Sequence, residues 1–293
     1  MIEFLLESSL DNNIKLNILT HQVENPKAIL IHLHGLGSHF QYVYRSPDNL
    51  EDRIKSLSKY DILSYAIEFR GHGKSTGTRF MIGSYDDYIN DLHDLVNYIK
   101  IYHPTQPIYL IGQSMGGAIA ILYSIKYSDV VKGIILIGPM CGITQDLEKS
   151  WITVNVILTL SYIVPSLRLI NISNCTSTYI DKYLEARKQS LYNNNCRLRL
   201  DTSRECYYMM DTINKNVHNF NVPVFAIHSK SDKITLYNTT EDFITRCSSP
   251  DKKIELLEEG NHNVLIPTSN DDIQPSIILI AICRWIEERI NII

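Results

Sequence analysis

Short, nearly uninterrupted apolar runs recur along the chain, each bounded by Gly, Pro or polar residues: Ala28–Leu33, Ile62–Ile67, Ile108–Gly112, Gly133–Ile137, Val224–His228 and Lys253–Leu257. Apolarity at successive positions, rather than at alternate ones, marks strands covered on both faces, as in a parallel sheet. Between the runs the hydrophobic spacing lengthens to three and four. Residues 85–102 carry Tyr88, Leu92, Leu95 and Ile99 at that interval, and helical patterns follow over Ala118–Tyr127 and Pro275–Ile290. Strands alternating with helices predict an α/β fold built on a mostly parallel central sheet flanked by helices. From about Cys141 to Asn221 the rhythm stops, and only helical and irregular sequence separates two sheet strands. This predicts a core of residues 1–140 and 222–293 interrupted by a helical cap over 141–221, with Gly142 and the Asn-rich run at 214–221 as hinges.

Within that insertion, WITVNVILTLSYIVP (Trp151–Pro165) is apolar on most faces of a helix yet too short to span a bilayer. Two readings stay open. The segment roofs an apolar substrate space and touches a membrane surface, with Trp151 and Ile157 as candidate substrate contacts, or it is a well-packed cap helix or dimer contact. Arg168, Arg187, Lys188, Arg197 and Arg199 meet anionic head groups in the first case and water in the second.

Composition removes several classes of function. With 28 Lys plus Arg against 32 Asp plus Glu, the net charge of −4 gives no footprint for nucleic acid. An apolar fraction of 44% supplies an ordinary buried core. The cysteines Cys141, Cys175, Cys196, Cys206, Cys247 and Cys283 form no CxxC pair and have no His partners, so neither a zinc site nor a disulfide framework is expected. No metal and no cofactor are expected, because no G-x-G-x-x-G follows a strand. Glu3 and Glu7 stand where a secretory signal would be basic, so a cytoplasmic protein is expected, with peripheral membrane contact through the cap. Monomer and homodimer remain equally open.

The candidate chemistry begins at IYLIGQSMGGAIAILYS, where Gly112, Ser114 and Gly116 form G-x-S-x-G between a buried strand and an apolar helix. A Ser at such a junction must turn sharply, and glycines two positions to either side remove the Cβ atoms that would collide. The hydroxyl is thereby pushed into the open. Backbone N–H groups at the helix start, near Met115, face any developing oxyanion.

These residues resemble the monoglyceride lipase and lysophospholipase branch of the α/β-hydrolase superfamily. Two further motifs extend the resemblance over nearly the whole chain: H-G-x-G, as His34–Gly37, and EFRGHGKSTG over Glu68–Gly77, with Glu where Asp is usual. Ser38 and Tyr42 also depart from the branch's common Glu and Arg. The resemblance implies an α/β-hydrolase fold, an oxyanion hole from the N–H groups of Leu36 and Met115, and a lipid ester as substrate.

A hydroxyl needs an imidazole to take its proton and a carboxylate to orient that imidazole, in the chain order Ser, acid, His for this fold. Downstream of Ser114 stand His218, His228 and His262; His262, in LLEEGNHNVL, occupies the loop expected of the base. Asp232 follows the strand PVFAIHS, with Ser229 where Gly is usual, and Asp201 and Asp211 are weaker substitutes. The other loop residues, His32, His34, His39, His72 and Arg70, read as packing and hydrogen-bonding groups. The implied reaction is ester hydrolysis through an acyl-enzyme on Ser114, by a monoacylglycerol lipase, lysophospholipase or related carboxylesterase. A thioesterase or acyltransferase would share the acyl-enzyme, and a silent ligand-binding member would share only the fold.

Overall fold

The computed structural model describes residues 2–40, 56–143, 150–171, 185, 191–192, 197–269 and 271–290. Eight strands form one sheet: β1 (Ile2–Glu7), β2 (Lys15–Thr20), β3 (Ala28–Leu33), β4 (Ile62–Glu68), β5 (Ile108–Gln113), β6 (Gly133–Ile137), and, beyond a long inserted segment, β9 (Val224–Ser229) and β10 (Lys252–Leu257). Their spatial order is β1-β2-β4-β3-β5-β6-β9-β10. From β4 to β10 every neighbour is parallel, and β1 and β2 are antiparallel.

Successive residues of the central strands feed opposite layers, which is why their sequences read as continuously apolar. Leu110 and Ile134 pack under α1 (Tyr85–Tyr102) and α2 (Met115–Lys126), whereas Ile111 and Ile135 face α6 (Gln274–Ile290) with Ile282 and Trp285. Ser84 caps α1, its hydroxyl accepting from Asp86 N–H at 3.2 Å, and the acids Asp86 and Asp87 in the first turn suit the positive helix end.

The six expected sheet strands are present, but the reading of the sequence missed the β1–β2 hairpin. Edge strand β1 alternates exposed and half-buried residues, with only Phe4 and Leu6 turned to the core, and so lacks the long apolar run that betrays a central strand. It missed α5 (Tyr237–Arg246) as well, whose buried face is only Thr240, Phe243 and Ile244.

Between β6 and β9 lie α3 (Trp151–Ile163), β7 (Arg168–Asn171), β8 (Arg197–Arg199) and α4 (Leu200–Asn216). Strands β7 and β8 pair antiparallel with a register irregularity, correcting the expectation that this stretch holds no strand; four and three residues are too few to show a period of two. Helix α4 ties the segment to the core: the Thr202 hydroxyl donates to Phe80 O at 2.9 Å and accepts from Ile82 N–H at 3.2 Å. Glu205 accepts from Tyr85 N–H at 3.2 Å. On α3, Val154, Ile157, Leu158 and Ser161 form the sheltered stripe, while Ile152, Val156, Tyr162 and Ile163 are exposed. Arg204 reaches across from α4 to stack on Tyr162, 4.5 Å from the ring centre.

Candidate active site

Ser114 joins β5 to α2 with φ +55° and ψ −116°, a conformation that costs a residue with a side chain about 1–3 kcal/mol. Neighbouring contacts hold it there. Its N–H donates to Ile137 O at 3.1 Å, and its carbonyl accepts from Gly117 N–H at 2.9 Å and Met140 N–H at 3.0 Å. A methyl on Gly112 would run into the Gly116 carbonyl, and one on Gly116 into the Leu33 carbonyl, so both glycines are demanded by space. Ser114 Oγ makes no helix-capping bond, so its hydroxyl is not spent on the start of α2. The residue is only 9% exposed, so the turn presents its hydroxyl to a sheltered floor rather than to open solvent.

The loop after β3 runs beside this turn: a Cβ on Gly35 would stand 3.2 Å from Ser114 Cβ. Among the described residues, the Leu36 N–H donates to no backbone carbonyl. Two buried imidazoles shape the loop around it. Gly37 N–H donates to His72 Nε2 at 3.2 Å and Phe69 N–H donates to His34 Nε2 at 3.0 Å, while the Nδ1 atoms face Arg70 O and Gly35 O at 3.1 and 2.8 Å. Each ring therefore carries its proton on Nδ1 and is neutral; burial lowers both pKa values, that of His72 to about 4. Glu68, the departure noted in the sequence, is fully buried and accepts from Asn17 Nδ2, Phe40 N–H and Lys74 N–H at 3.0, 2.9 and 2.7 Å. Arg70 is a structural donor as expected, forked onto Asp91 at 2.7 and 2.6 Å.

Asp232 and His262 meet: His262 Nδ1 lies 2.7 Å from Asp232 Oδ2. The other carboxylate oxygen accepts from Ile234 N–H at 2.8 Å and Thr235 N–H at 3.3 Å, the turn that fixes its rotamer. Burial by itself would raise the Asp232 pKa, but hydrogen bonds from His228 and His262 outweigh it and hold the carboxyl well below its ordinary value. The segment after β6 links this pair to the elbow. Ile137 and Met140 bond the Ser114 backbone, and a Cβ on Gly138 between them would stand 2.8 Å from His262 O and 3.4 Å from its Nδ1. No hydrogen bond joins Ser114 Oγ to an imidazole nitrogen among the described residues.

The competing candidates are engaged elsewhere. His218 Nδ1 faces Arg246 O at 3.1 Å, Asp201 pairs with Arg199 at 2.6 Å and Asp211 with Lys215 at 2.6 Å. Arg168 reaches Arg197 O at 3.1 Å. Ile157 lies on the sheltered stripe of α3; the Trp151 side chain, Tyr42, Arg187, Lys188, Cys175 and Cys196 lie outside the described residues. The Thr235 hydroxyl, 2.9 Å from Oδ2, escaped the sequence reading, as did Thr240, which faces His228 Nδ1 at 2.8 Å; His228, weighed there only as an alternative base, lies with Nε2 3.1 Å from Oδ2. Position in a buried strand disguised His228, and nothing in the sequence singled out the threonines.

The described residues include no group of three or more His, Cys, Asp or Glu able to hold a metal, and no helix long and apolar enough to cross a membrane. The family model described as serine aminopeptidase, S33 matches residues 24–268. Monoglyceride lipase of Rattus norvegicus is 24% identical over 91% of this chain and 84% of its own, and monoacylglycerol lipase of Mycolicibacterium smegmatis is 21% identical over 89% of each. Among solved structures, a soluble variant of monoglyceride lipase from Saccharomyces cerevisiae in complex with a substrate analogue superposes with a TM-score of 0.78 at 19% identity, covering 99% of this chain and 95% of that one. With the strained strand-to-helix turn at Ser114, the parallel sheet and a family match over most of its length, the chain belongs to the serine aminopeptidase S33 family of α/β-hydrolases, as a serine hydrolase similar to the monoglyceride lipases.

Proposed function

We propose that the protein hydrolyses monoacylglycerols or lysophospholipids, with Ser114 as nucleophile, His262 as general base and acid, and Asp232 orienting the imidazole. The contact of 2.7 Å between His262 Nδ1 and a carboxylate carries this reading. An ionised carboxylate only accepts, so Nδ1 must hold the proton and Nε2 is left with a lone pair. That lone pair takes the Ser114 proton as Oγ bonds to the ester carbonyl carbon. The resulting oxyanion is received by the N–H groups of Leu36 and Met115. Collapse breaks the bond to the alcohol, which leaves with the proton from His262. Water then attacks the acyl-enzyme, giving its proton to His262, and Ser114 recovers that proton as the fatty acid departs.

Residues 141–221 act as the cap in this reading. The exposed apolar residues of α3, Ile152 at 63% and Ile163 at 69% among them, form a face that touches the lipid surface from which substrate is drawn. The sheltered stripe with Ile157 turns toward the acyl chain. The experiment is a substrate panel of p-nitrophenyl esters, monoacylglycerols, lysophospholipids and aminoacyl amides, run on the wild type and Ser114→Ala. Turnover of the lipid esters, lost by at least about 10³-fold in a folded Ser114→Ala, is expected. Equal activity in both proteins, or turnover confined to the amides, would overturn the proposal.

A further inference from the structure

The carboxylate of Asp232 is held by two imidazoles, not one. Beside His262, the side chain of His228 approaches the same oxygen from within the sheet, with Nε2 3.1 Å from Oδ2 and 2.9 Å from Thr235 O. A carboxylate and a carbonyl both only accept, so Nε2 carries a hydrogen shared between them. Nδ1 is then the acceptor, and it faces the Thr240 hydroxyl at 2.8 Å; that hydroxyl in turn lies 3.6 Å from Cys141 Sγ. His228 is wholly buried at the end of β9, where an imidazole without such partners would be costly. Burying three polar side chains where Ile and Val would pack demands an account beyond stability, since an apolar cluster would fill the same space without desolvation.

We infer that His228 is a positioning residue for the acid: its Nε2–H clamps Asp232 and the carbonyl of Thr235 together, so that Oδ2 stays aimed at His262 Nδ1, and Thr240 fixes the tautomer that makes this possible. Without the clamp the carboxylate keeps the backbone bonds to Oδ1 and, at Oδ2, the Thr235 hydroxyl at 2.9 Å, a rotatable donor shared with Gly138 O at 3.0 Å that holds Oδ2 less firmly against swinging away. The imidazole of His262 then loses part of its orientation while the substrate pocket is untouched. The inference rests on the assignment of Ser114, His262 and Asp232 made above.

Three variants test it: His228→Leu, which removes the donor; His228→Gln, whose side-chain amide restores an N–H at nearly the same reach; and Thr240→Val, which removes the hydroxyl that sets the tautomer without disturbing Asp232 directly. Steady-state kinetics on a soluble p-nitrophenyl ester, with thermal melts for each protein, give the readout. A fall in kcat of about 10–100-fold in His228→Leu with KM within twofold is expected, by analogy with the loss found when groups that orient metal-ligating side chains are removed. His228→Gln should recover most of that loss, and Thr240→Val should fall between. A kcat in His228→Leu within twofold of the wild type, or equal losses in the Leu and Gln proteins, overturns the inference. If His228→Leu does not fold, the Gln and Thr240→Val proteins decide: unchanged kcat in Thr240→Val overturns it. Ser114→Ala, run alongside, separates the cases, because only residual turnover in that protein would remove the underlying assignment.

Discussion

Asp232→Asn changes the electrostatics of the site with almost no change of shape, and its cost follows from counting donors. Two backbone N–H groups point at Oδ1, from Ile234 at 2.8 Å and Thr235 at 3.3 Å, and His262 Nδ1, the Thr235 hydroxyl and His228 Nε2 lie at 2.7, 2.9 and 3.1 Å from Oδ2. Asparagine supplies one acceptor oxygen and an amide that only donates. Turning that amide toward the backbone would set donors against two part-buried N–H groups and leave both without their acceptor, at about 1 kcal/mol each. The imidazole of His262 can instead adapt, moving its proton to Nε2 and accepting from the amide with Nδ1. The oxygen therefore stays with the turn. In that tautomer His262 offers Ser114 a donor where a lone pair is needed, the defect that lowers kcat by about 10⁴ in a Ser-His-Asp protease. A loss on the order of 10⁴ in kcat is expected here, equivalent to about 5.5 kcal/mol of barrier. Stability should drop by about 1–3 kcal/mol, because His228 Nε2–H loses its carboxylate. Steady-state hydrolysis of p-nitrophenyl butyrate and urea unfolding measure the two quantities. A folded Asp232→Asn protein with kcat within tenfold of the wild type would refute the reasoning.

Stability should depend on pH through the imidazoles that brace the loop after β3. The folded pKa of His72 lies at about 4 against an ordinary 6.5, so between those values the unfolded chain binds a proton that the folded one refuses. Stability is complete above 6.5 and falls as the pH drops toward 4, by about 3 kcal/mol at about 1.4 kcal/mol per pH unit. Urea midpoints across that window should slope less in His72→Gln, and parallel curves would contradict the neutral ring. Asp232 acts in the same direction but lower, since its depressed pKa contributes stability that is lost only once the pH falls below the ordinary carboxylate range. The exposed face of α3 makes a separate prediction. The double change Ile152→Asp and Val156→Asp should weaken sedimentation with phosphatidylcholine vesicles at least tenfold, since each side chain withdrawn from lipid forfeits roughly 1.5–3 kcal/mol, while turnover of a soluble ester stays within twofold. Unchanged vesicle binding would show that this face has another use.

The amino-acid order by itself determined the parts of the molecule governed by local rules. A run such as Ile29–Leu33 must be buried on both sides, so the central strands and their parallel sheet were legible, and so was the sharp turn at Ser114, because only a strand, a glycine-flanked Ser and a helix fit G-x-S-x-G. Order along the chain also pointed to Asp232 and His262, which lie on the loops after adjacent parallel strands, β9 and β10, and which the fold brings to 2.7 Å. Strand β1 was not legible because a half-exposed edge strand carries no continuous apolar signal, nor was the β7–β8 pair, which is too short to display a period. His228 and Thr235 became partners of Asp232, and Thr240 a partner of His228, only through the packing of β9 against α5 and the turn between them. A buried His in a strand looks the same in sequence whether it faces an apolar neighbour or a carboxylate. What surrounds a side chain is a property of the assembled layers, and tertiary structure alone decides it.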